Sequence, residues 1–178
     1  MKRPDLEHII RAAGSIVASD DIVVVGSQAV LGQFPDAPVE LLVSDEADVF
    51  PLHQPERSDL IDGAIGEGSP FERAFGYFAH GVDESTSILP HGWRDRLILI
   101  ENENTRGVRG WCLEVHDLAI AKLIAGREKD FDFLAQLLRY RLADPRLLRD
   151  RLAITDVDPV RRKLTADRLQ AAIKNTAT

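Results

Sequence analysis

The sequence predicts an α/β protein in which short buried strands lie between helices and a helical part follows at the C-terminus. Short apolar runs such as 22–25 and 97–100 are bounded by turn residues and fit buried strands. Apolar residues at helical spacing over 4–19 predict an amphipathic helix ahead of the first strand. Asp-Pro pairs at 144–145 and 158–159 are typical of helix starts, with the aspartate as cap and the proline in the first turn.

Length and composition fit one modest domain with a small helical appendage. The chain has 178 residues, of which 44% are hydrophobic, enough for a buried core. No apolar run approaches the ~20 residues of a membrane helix, and Met1-Lys2-Arg3 leads into a polar segment unlike a signal peptide. The lone Cys112 excludes an internal disulfide and a cysteine-based zinc site. We therefore expect a bacterial-type cytoplasmic protein with no membrane partner.

The remaining elements follow from caps, breakers and apolar spacing. Ser69-Pro70 with Glu72 is a strong helix start, and we expect His80-Gly81 to break the helix that follows. Asp117 is the expected cap of a short helix that ends at Gly126. We predict two parts, 1–140 and a helical extension 141–178 packed on it. The predicted helices are 28–34, 58–65, 71–78, 118–124, 129–140, 145–152 and 160–174, and the further strands are 40–49, 82–84 and 111–115.

Glu46 and Asp48 form the first candidate site. Positions two apart on a strand point to the same face, so these carboxylates project side by side while Asp45 and Ala47 project away. Adjacent carboxylates repel each other, and a divalent cation removes the repulsion. In nucleotide enzymes Mg²⁺ is typically held by one or two carboxylates and the substrate phosphates. The pattern therefore predicts a metal clamp.

The turn Gly26-Ser27 supplies a complementary part. It stands between the strand 22–25 and a short helical segment, where backbone N–H groups and a hydroxyl can approach a phosphate closely. The same stretch of chain thus offers both a phosphate cradle and a metal clamp.

Gly26-Ser27 followed by the Glu46-x-Asp48 pair resembles the nucleotidyltransferase superfamily with the DNA polymerase β-like fold. Gln28-Ala29 after the glycine-serine pair is similar to bacterial members related to the abortive-infection (AbiE-type) toxins. The resemblance implies a small mixed β-sheet flanked by helices, a nucleoside triphosphate substrate, and Mg²⁺ or Mn²⁺ held by the acidic pair. One departure is the glutamate at position 46, where aspartate is usual.

A second stretch, 116–133, extends the resemblance. Its pattern Leu118-x-x-x-Lys122-Leu-x-Ala, followed by Arg-x-Lys-Asp130, is similar to the second half of the AbiE-type enzymes. The resemblance implies that Lys122 contacts the triphosphate and that Asp130 is a catalytic or metal-adjacent acid. It also implies a third metal carboxylate on a neighbouring strand, for which Glu114 is the candidate, and we expect Ser44 to contact the nucleotide. The alternative for Lys122 and Asp130 is an ordinary ion pair between successive helices.

The charge of the chain is uneven. Residues 139–178 carry ten Lys/Arg and five Asp/Glu, net +5, and residues 1–138 carry twelve and twenty-four, net −12, which sum to the total of −7. A basic end is a candidate RNA-contacting surface, although exposed amphipathic helices also carry arginines without a ligand.

The resemblance implies transfer of a nucleoside monophosphate to a hydroxyl of RNA, including tRNA, or of a protein, in a toxin–antitoxin or defence setting. Two alternatives stay open. One is a nucleotide-binding protein that has lost transfer. The other is a regulatory, antitoxin-like partner of another protein or an RNA.

Overall fold

A mixed sheet is built around β1 (Asp21–Val25), whose five residues are all buried. The structure, a computed structural model, describes residues 1–176. β1 pairs antiparallel with β2 (Glu46–Pro51) and parallel with β5 (Arg109–Cys112). β3 (Phe78–Gly81) lies parallel to β2, and β4 (Ile98–Ile100) lies antiparallel to β5. The resulting order is β3-β2-β1-β5-β4, and the central position of β1 explains its unbroken apolar run.

Helices flank this sheet and confirm the predicted fold class. Leu6, Ile9 and Ile10 of the first helix are fully buried, and that helix contacts β1, β2, β3 and β5. Among residues 1–176, no helix is long and apolar enough to cross a membrane. The α-helices of the same residues are α1 (Arg3–Val17), α2 (Val30–Gln33), α3 (Ser58–Ile65), α4 (Pro70–Phe75), α5 (Val115–Ala125), α6 (Glu128–Arg139), α7 (Pro145–Ala153) and α8 (Pro159–Thr176).

The predicted helix starts and stops are largely confirmed. Ser69 Oγ accepts a hydrogen bond from the Glu72 N–H at 3.1 Å at the start of α4. Asp144 and Asp158 accept in the same way from the backbone N–H groups of Arg146 and Arg161, at 2.7 and 2.9 Å. α5 ends at Gly126, whose φ of +68° is readily accessible to glycine.

The chain from α4 to β3 differs from the prediction. The helix predicted over 71–78 ends at Phe75, because Gly76 adopts the left-handed conformation (φ +77°). Residues 78–81 then form β3, so the predicted break at His80-Gly81 and the strand at 82–84 are both wrong. Gly81 has a packing role instead: a Cβ there would lie 2.0 Å from the Ser58 carbonyl oxygen of α3.

Two predicted strands have different bounds. The first half of the strand predicted at 40–49 is wrong: Val39–Leu41 form a 3₁₀ turn, and only Glu46 and the residues after it join the sheet. Leu41 alone anchors that turn, since Val39 and Val43 are 77% and 80% exposed. The strand predicted at 111–115 ends at Cys112.

The C-terminal helices pack on α5 and α6, as expected for the extension 141–178. Leu148, Leu152 and Leu169 of α7 and α8 are buried. The Arg168 guanidinium donates to the Leu123 carbonyl at 3.1 Å and lies 5.2 Å from the centroid of the Phe131 ring. The domain boundary at 140/141 stays a prediction.

Candidate active site

The glycine-serine turn lies directly against the acidic pair. Gly26 follows β1 with φ +68° and ψ −170°, a conformation essentially restricted to glycine. The β1–β2 register pairs Val25 with Asp48, and a Cβ on Gly26 would lie 2.0 Å from Asp48 Oδ2. Glycine is therefore required for this close approach, and the predicted phosphate cradle and metal clamp are neighbours.

Glu46 and Asp48 project from β2 toward one face, while Ala47 between them is fully buried. The parallel register of β2 and β3 pairs Asp48 with His80. His80 Nδ1 lies 3.2 Å from Glu46 Oε1 and 3.7 Å from Asp48 Oδ1. Each of the three side chains offers one donor atom, and these atoms lie within 4.8 Å of one another. Two carboxylates and an imidazole at this spacing fit a divalent cation.

Electrostatics point in the same direction. Burial raises the pKa of Asp48 to about 6, and the neighbouring Glu46 carboxylate adds to this rise. His80 and Lys122 act against the rise in pKa but do not cancel it. A cation bound between the carboxylates would remove this repulsion, so the donor set passes a simple test of fit for a metal ion.

Lys122 joins the turn to α6. Its Nζ donates to Ser27 Oγ at 2.9 Å and to Asp130 Oδ1 at 3.1 Å, and it lies 4.7 Å from the centroid of the Phe133 ring. The side chain is only 5% exposed. Burial lowers the pKa of Lys122, and the Asp130 carboxylate opposes that change.

Asp130 lies behind Lys122. Its side chain is fully buried, and Arg127 donates to it from Nε at 2.8 Å and from the backbone N–H at 3.2 Å. Burial by itself would raise the pKa of Asp130, but the hydrogen bonds from Arg127 and Lys122 outweigh it and hold the pKa below its usual value. The expectation of an acid next to the metal is thus not met: a carboxylate whose oxygens are occupied by two cations orients Lys122.

Glu114 is not brought to the acidic pair. It caps α5 in place of the expected Asp117: Oε2 accepts from the His116 N–H at 3.0 Å, and Oε1 lies 2.6 Å from His116 Nδ1. Because β5 ends at Cys112, the chain has already turned into the helix at this point. The expected third metal carboxylate is therefore engaged elsewhere, and His80 lies at the pair instead.

A single cavity of about 540 Å³ collects most of the predicted site. Ser44 is among its lining residues, and the Ser44 Oγ accepts from the Glu46 N–H at 3.1 Å. The basic side chains of Arg127, Lys129 and Arg161 also line it and were not predicted. The predicted residues in the lining are Gly26, Ser27, Ser44, Glu46, Asp48 and Lys122.

His80 was missed because its segment was predicted to end a helix. A usable signal was present: Gly76 interrupts the helical pattern, and the four residues 78–81 beyond it are too few for another helix. Arg161 had no comparable signal, since only the packing of α8 brings it to the cavity.

Comparison with known proteins agrees with this geometry. A family model described as a nucleotidyltransferase of unknown function (DUF6036) matches residues 5–175. No curated protein and no solved structure matches the chain. The nucleotidyltransferase part of the resemblance is thereby confirmed, and the AbiE-type likeness stays a prediction. Since the match covers nearly all of its length, the chain belongs to this family of nucleotidyltransferases of unknown function.

Proposed function

We propose that the protein transfers a nucleoside monophosphate from a nucleoside triphosphate to an acceptor hydroxyl and releases pyrophosphate, with a divalent cation as cofactor. One observation carries the proposal. The acidic pair Glu46–Asp48, the Gly26-Ser27 turn and the buried Lys122 line the same cavity. Metal ligands and phosphate donors are thus within one substrate's reach, as this reaction requires.

Glu46 and Asp48 would hold the cation, Mg²⁺ or Mn²⁺. When bound, it would neutralise charge on the α-phosphate and so ease attack at phosphorus. Gly26 leaves the room that the Asp48 carboxylate needs beside the turn. The clamp and the phosphate cradle therefore keep a fixed distance from each other.

The β- and γ-phosphates would bind at Ser27 and Lys122. Lys122 Nζ has three hydrogens and donates to Ser27 and Asp130, which leaves a charge-assisted donor for a phosphate oxygen. Asp130 orients that ammonium group and does not act on the acceptor. Arg127 and Lys129 add positive charge along the cavity lining. Ser44, which lines the same cavity, would contact the nucleotide.

The reaction balances with these groups alone. The acceptor oxygen forms a bond to the α-phosphorus, and the bond from that phosphorus to the oxygen bridging to the β-phosphate breaks. The electron pair leaves with pyrophosphate, whose charge Lys122 stabilises. The acceptor proton passes to solvent.

For the acceptor we propose a hydroxyl of RNA, including tRNA, or of a protein, in a cytoplasmic bacterial toxin–antitoxin or defence setting. Two observations support it: the AbiE-type pattern around Lys122 and the net charge of +5 over residues 139–178. Arg161 belongs to that basic part and lines the cavity, so an anionic acceptor would meet positive charge there.

The test is label transfer and pyrophosphate release from each α-labelled nucleoside triphosphate, with Mg²⁺ or Mn²⁺ and total RNA as acceptor. The Glu46→Ala/Asp48→Ala double variant should lose transfer. The control is Asp36→Ala/Asp59→Ala, which removes two exposed carboxylates outside the cavity and should keep it. Equal transfer by native protein and double variant would refute the assigned site.

A second candidate rests on Glu46, which is one methylene longer than the aspartate usual in the superfamily and would shift the cation. It is a nucleotide-binding or antitoxin-like protein without transfer. Nucleotide binding with no pyrophosphate release from any nucleotide would support it. An effect on a partner protein or RNA that persists in the Glu46→Ala/Asp48→Ala variant would favour the antitoxin-like form.

A further inference from the structure

The cluster at the acidic pair contains a nitrogen donor. His80 Nδ1 is the ring atom that approaches Glu46 Oε1 and Asp48 Oδ1, at 3.2 and 3.7 Å. The side chain is 51% exposed and lines the cavity, so a hydrated ion can reach it. The position is fixed by the sheet, since His80 pairs with Asp48 in the β2–β3 register.

The other ring nitrogen of His80 faces a carboxylate. Its Nε2 lies 3.7 Å from Asp62 Oδ1 of α3, and Gly81 lets α3 approach β3 this closely. Metal-binding histidines commonly have a carboxylate at the second ring nitrogen, which orients the ring and makes the first nitrogen a better donor. Asp62 is therefore placed as a positioning residue for His80.

We propose that His80 is the third protein ligand of the cation and makes the site select Mn²⁺ over Mg²⁺. This inference rests on the proposed function only in taking Glu46 and Asp48 as the metal ligands. Mg²⁺ is a hard ion that takes oxygen ligands and gives up its water reluctantly. Mn²⁺ accepts carboxylate oxygen and also coordinates imidazole nitrogen, so a ligand set of two oxygens and one nitrogen favours it.

The test is metal binding to the nucleotide-free protein. Mn²⁺ affinity is measured by electron paramagnetic resonance titration and Mg²⁺ affinity by competition. The native protein should prefer Mn²⁺, and His80→Ala should weaken Mn²⁺ binding by about tenfold or more while changing Mg²⁺ binding by less than about threefold. His80→Asp restores an all-oxygen set and should reduce the preference. The control is His91→Ala, an exposed histidine outside the cavity.

A spectroscopic readout identifies the ligand directly. Pulsed resonance of bound Mn²⁺ should show coupling to an imidazole ¹⁴N in the native protein and in His91→Ala, and none in His80→Ala or His80→Asp. Asp62→Asn should keep the nitrogen coupling and weaken Mn²⁺ binding by less than His80→Ala does. A native protein without nitrogen coupling, or an unchanged preference in His80→Asp, would overturn the proposal.

The two proposals fail separately. Nitrogen-coupled Mn²⁺ without any nucleotidyl transfer would contradict the reaction and leave His80 as a ligand. Transfer with bound Mn²⁺ that shows no nitrogen coupling would sink the role of His80 and leave the reaction intact.

Discussion

At the scale of single residues, Gly26 has two functions in one turn. It exposes backbone N–H groups to a phosphate, and it leaves space that the Asp48 carboxylate occupies. The second function comes from the pairing of Val25 with Asp48, so it depends on the sheet and not on the turn alone. A glycine-serine motif in this position is thus a packing requirement of the metal clamp.

We expect Gly26→Ala to displace Asp48 and to destabilise the fold by about 1–3 kcal/mol, because the added Cβ meets Oδ2 in a glycine-only conformation. Urea unfolding and Mn²⁺ titration measure the two effects. The matched control is Gly63→Ala on α3, where a Cβ meets nothing within 4 Å and helix propensity predicts a gain of about 0.5–1 kcal/mol. Unchanged metal binding in Gly26→Ala would contradict the role assigned to the contact.

Lys122 and Asp130 form a buried ion pair, unlike the exposed pair considered from the sequence alone. Lys122 is 5% and Asp130 is 0% exposed. Removing one partner of such a pair leaves a buried charge without compensation, which costs far more than losing a surface pair.

Asp130→Asn should therefore lower the free energy of unfolding by about 3 kcal/mol and weaken triphosphate binding through a misoriented Lys122. Asp132→Asn, an exposed carboxamide change on the same helix, should stay within about 0.5 kcal/mol. The measurements are urea unfolding and nucleotide titration. If Asp130 acted as a base on the acceptor instead, turnover would vanish while both stability and nucleotide binding persisted.

At the scale of elements, local signals predicted whatever is encoded locally. The caps Ser69, Asp144 and Asp158 and the stop at Gly126 were correct because each satisfies backbone groups of its own helix. β3 was missed because it has only four residues, of which Ala79 alone is buried, so its alternation is faint. Pairing with β2 makes it a strand, and that pairing joins residues more than thirty positions apart.

The same division holds within the site. Gly26, Ser27, Glu46 and Asp48 were predictable because a turn and a strand alternation place them. The meeting of Lys122 with Ser27 came only from family likeness and spans 95 residues. Glu114 was assigned by its order in the chain, but a carboxylate two residues past a strand end became a helix cap.

β1 and β5 are linked by a polar contact at their start. Asp21 accepts from Arg109 Nη2 at 2.6 Å and from Trp111 Nε1 at 2.7 Å. Burial by itself would raise the pKa of Asp21, but these hydrogen bonds outweigh it and lower the pKa below 3.8. A lowered folded-state pKa stabilises the fold above the unfolded-state value, and this contribution disappears as the pH falls through the folded-state value.

Asp21→Asn should therefore be less stable than the native protein by a constant amount at neutral pH, and the two should converge as the pH falls below 3.8. Urea unfolding across this range measures the gap. Asp20→Asn, which changes an exposed neighbour, controls for the loss of one nearby charge. A gap that persists undiminished to the lowest pH would mean that the carboxylate's charge is irrelevant.

At the scale of the whole molecule, the basic end and the acidic front meet at the cavity. Residues 139–178 carry net +5, and the α8 residue Arg161 lines the same space as Glu46 and Asp48. The C-terminal helices thus contribute to the site as well as covering α5 and α6.

Arg161→Ala should raise the dissociation constant for a nucleoside triphosphate about threefold to tenfold without changing stability, because the side chain is exposed and supplies only charge. Arg146→Ala on α7, exposed and outside the cavity, is the control. Titration at low and high salt checks the mechanism, since the difference should shrink as salt screens the charge. A salt-independent difference would point to packing.

The parallel pairing of β1 with β5 also bears on how the protein is made. Asp21 and Arg109 are 88 positions apart, so on a ribosome the apolar β1 is complete long before β5 exists. At typical synthesis rates that interval is roughly 4 to 18 s, during which one edge of β1 has no strand beside it. An unpaired apolar edge invites association with other chains. Newly made copies therefore need shielding by chaperones until residue 112 has emerged.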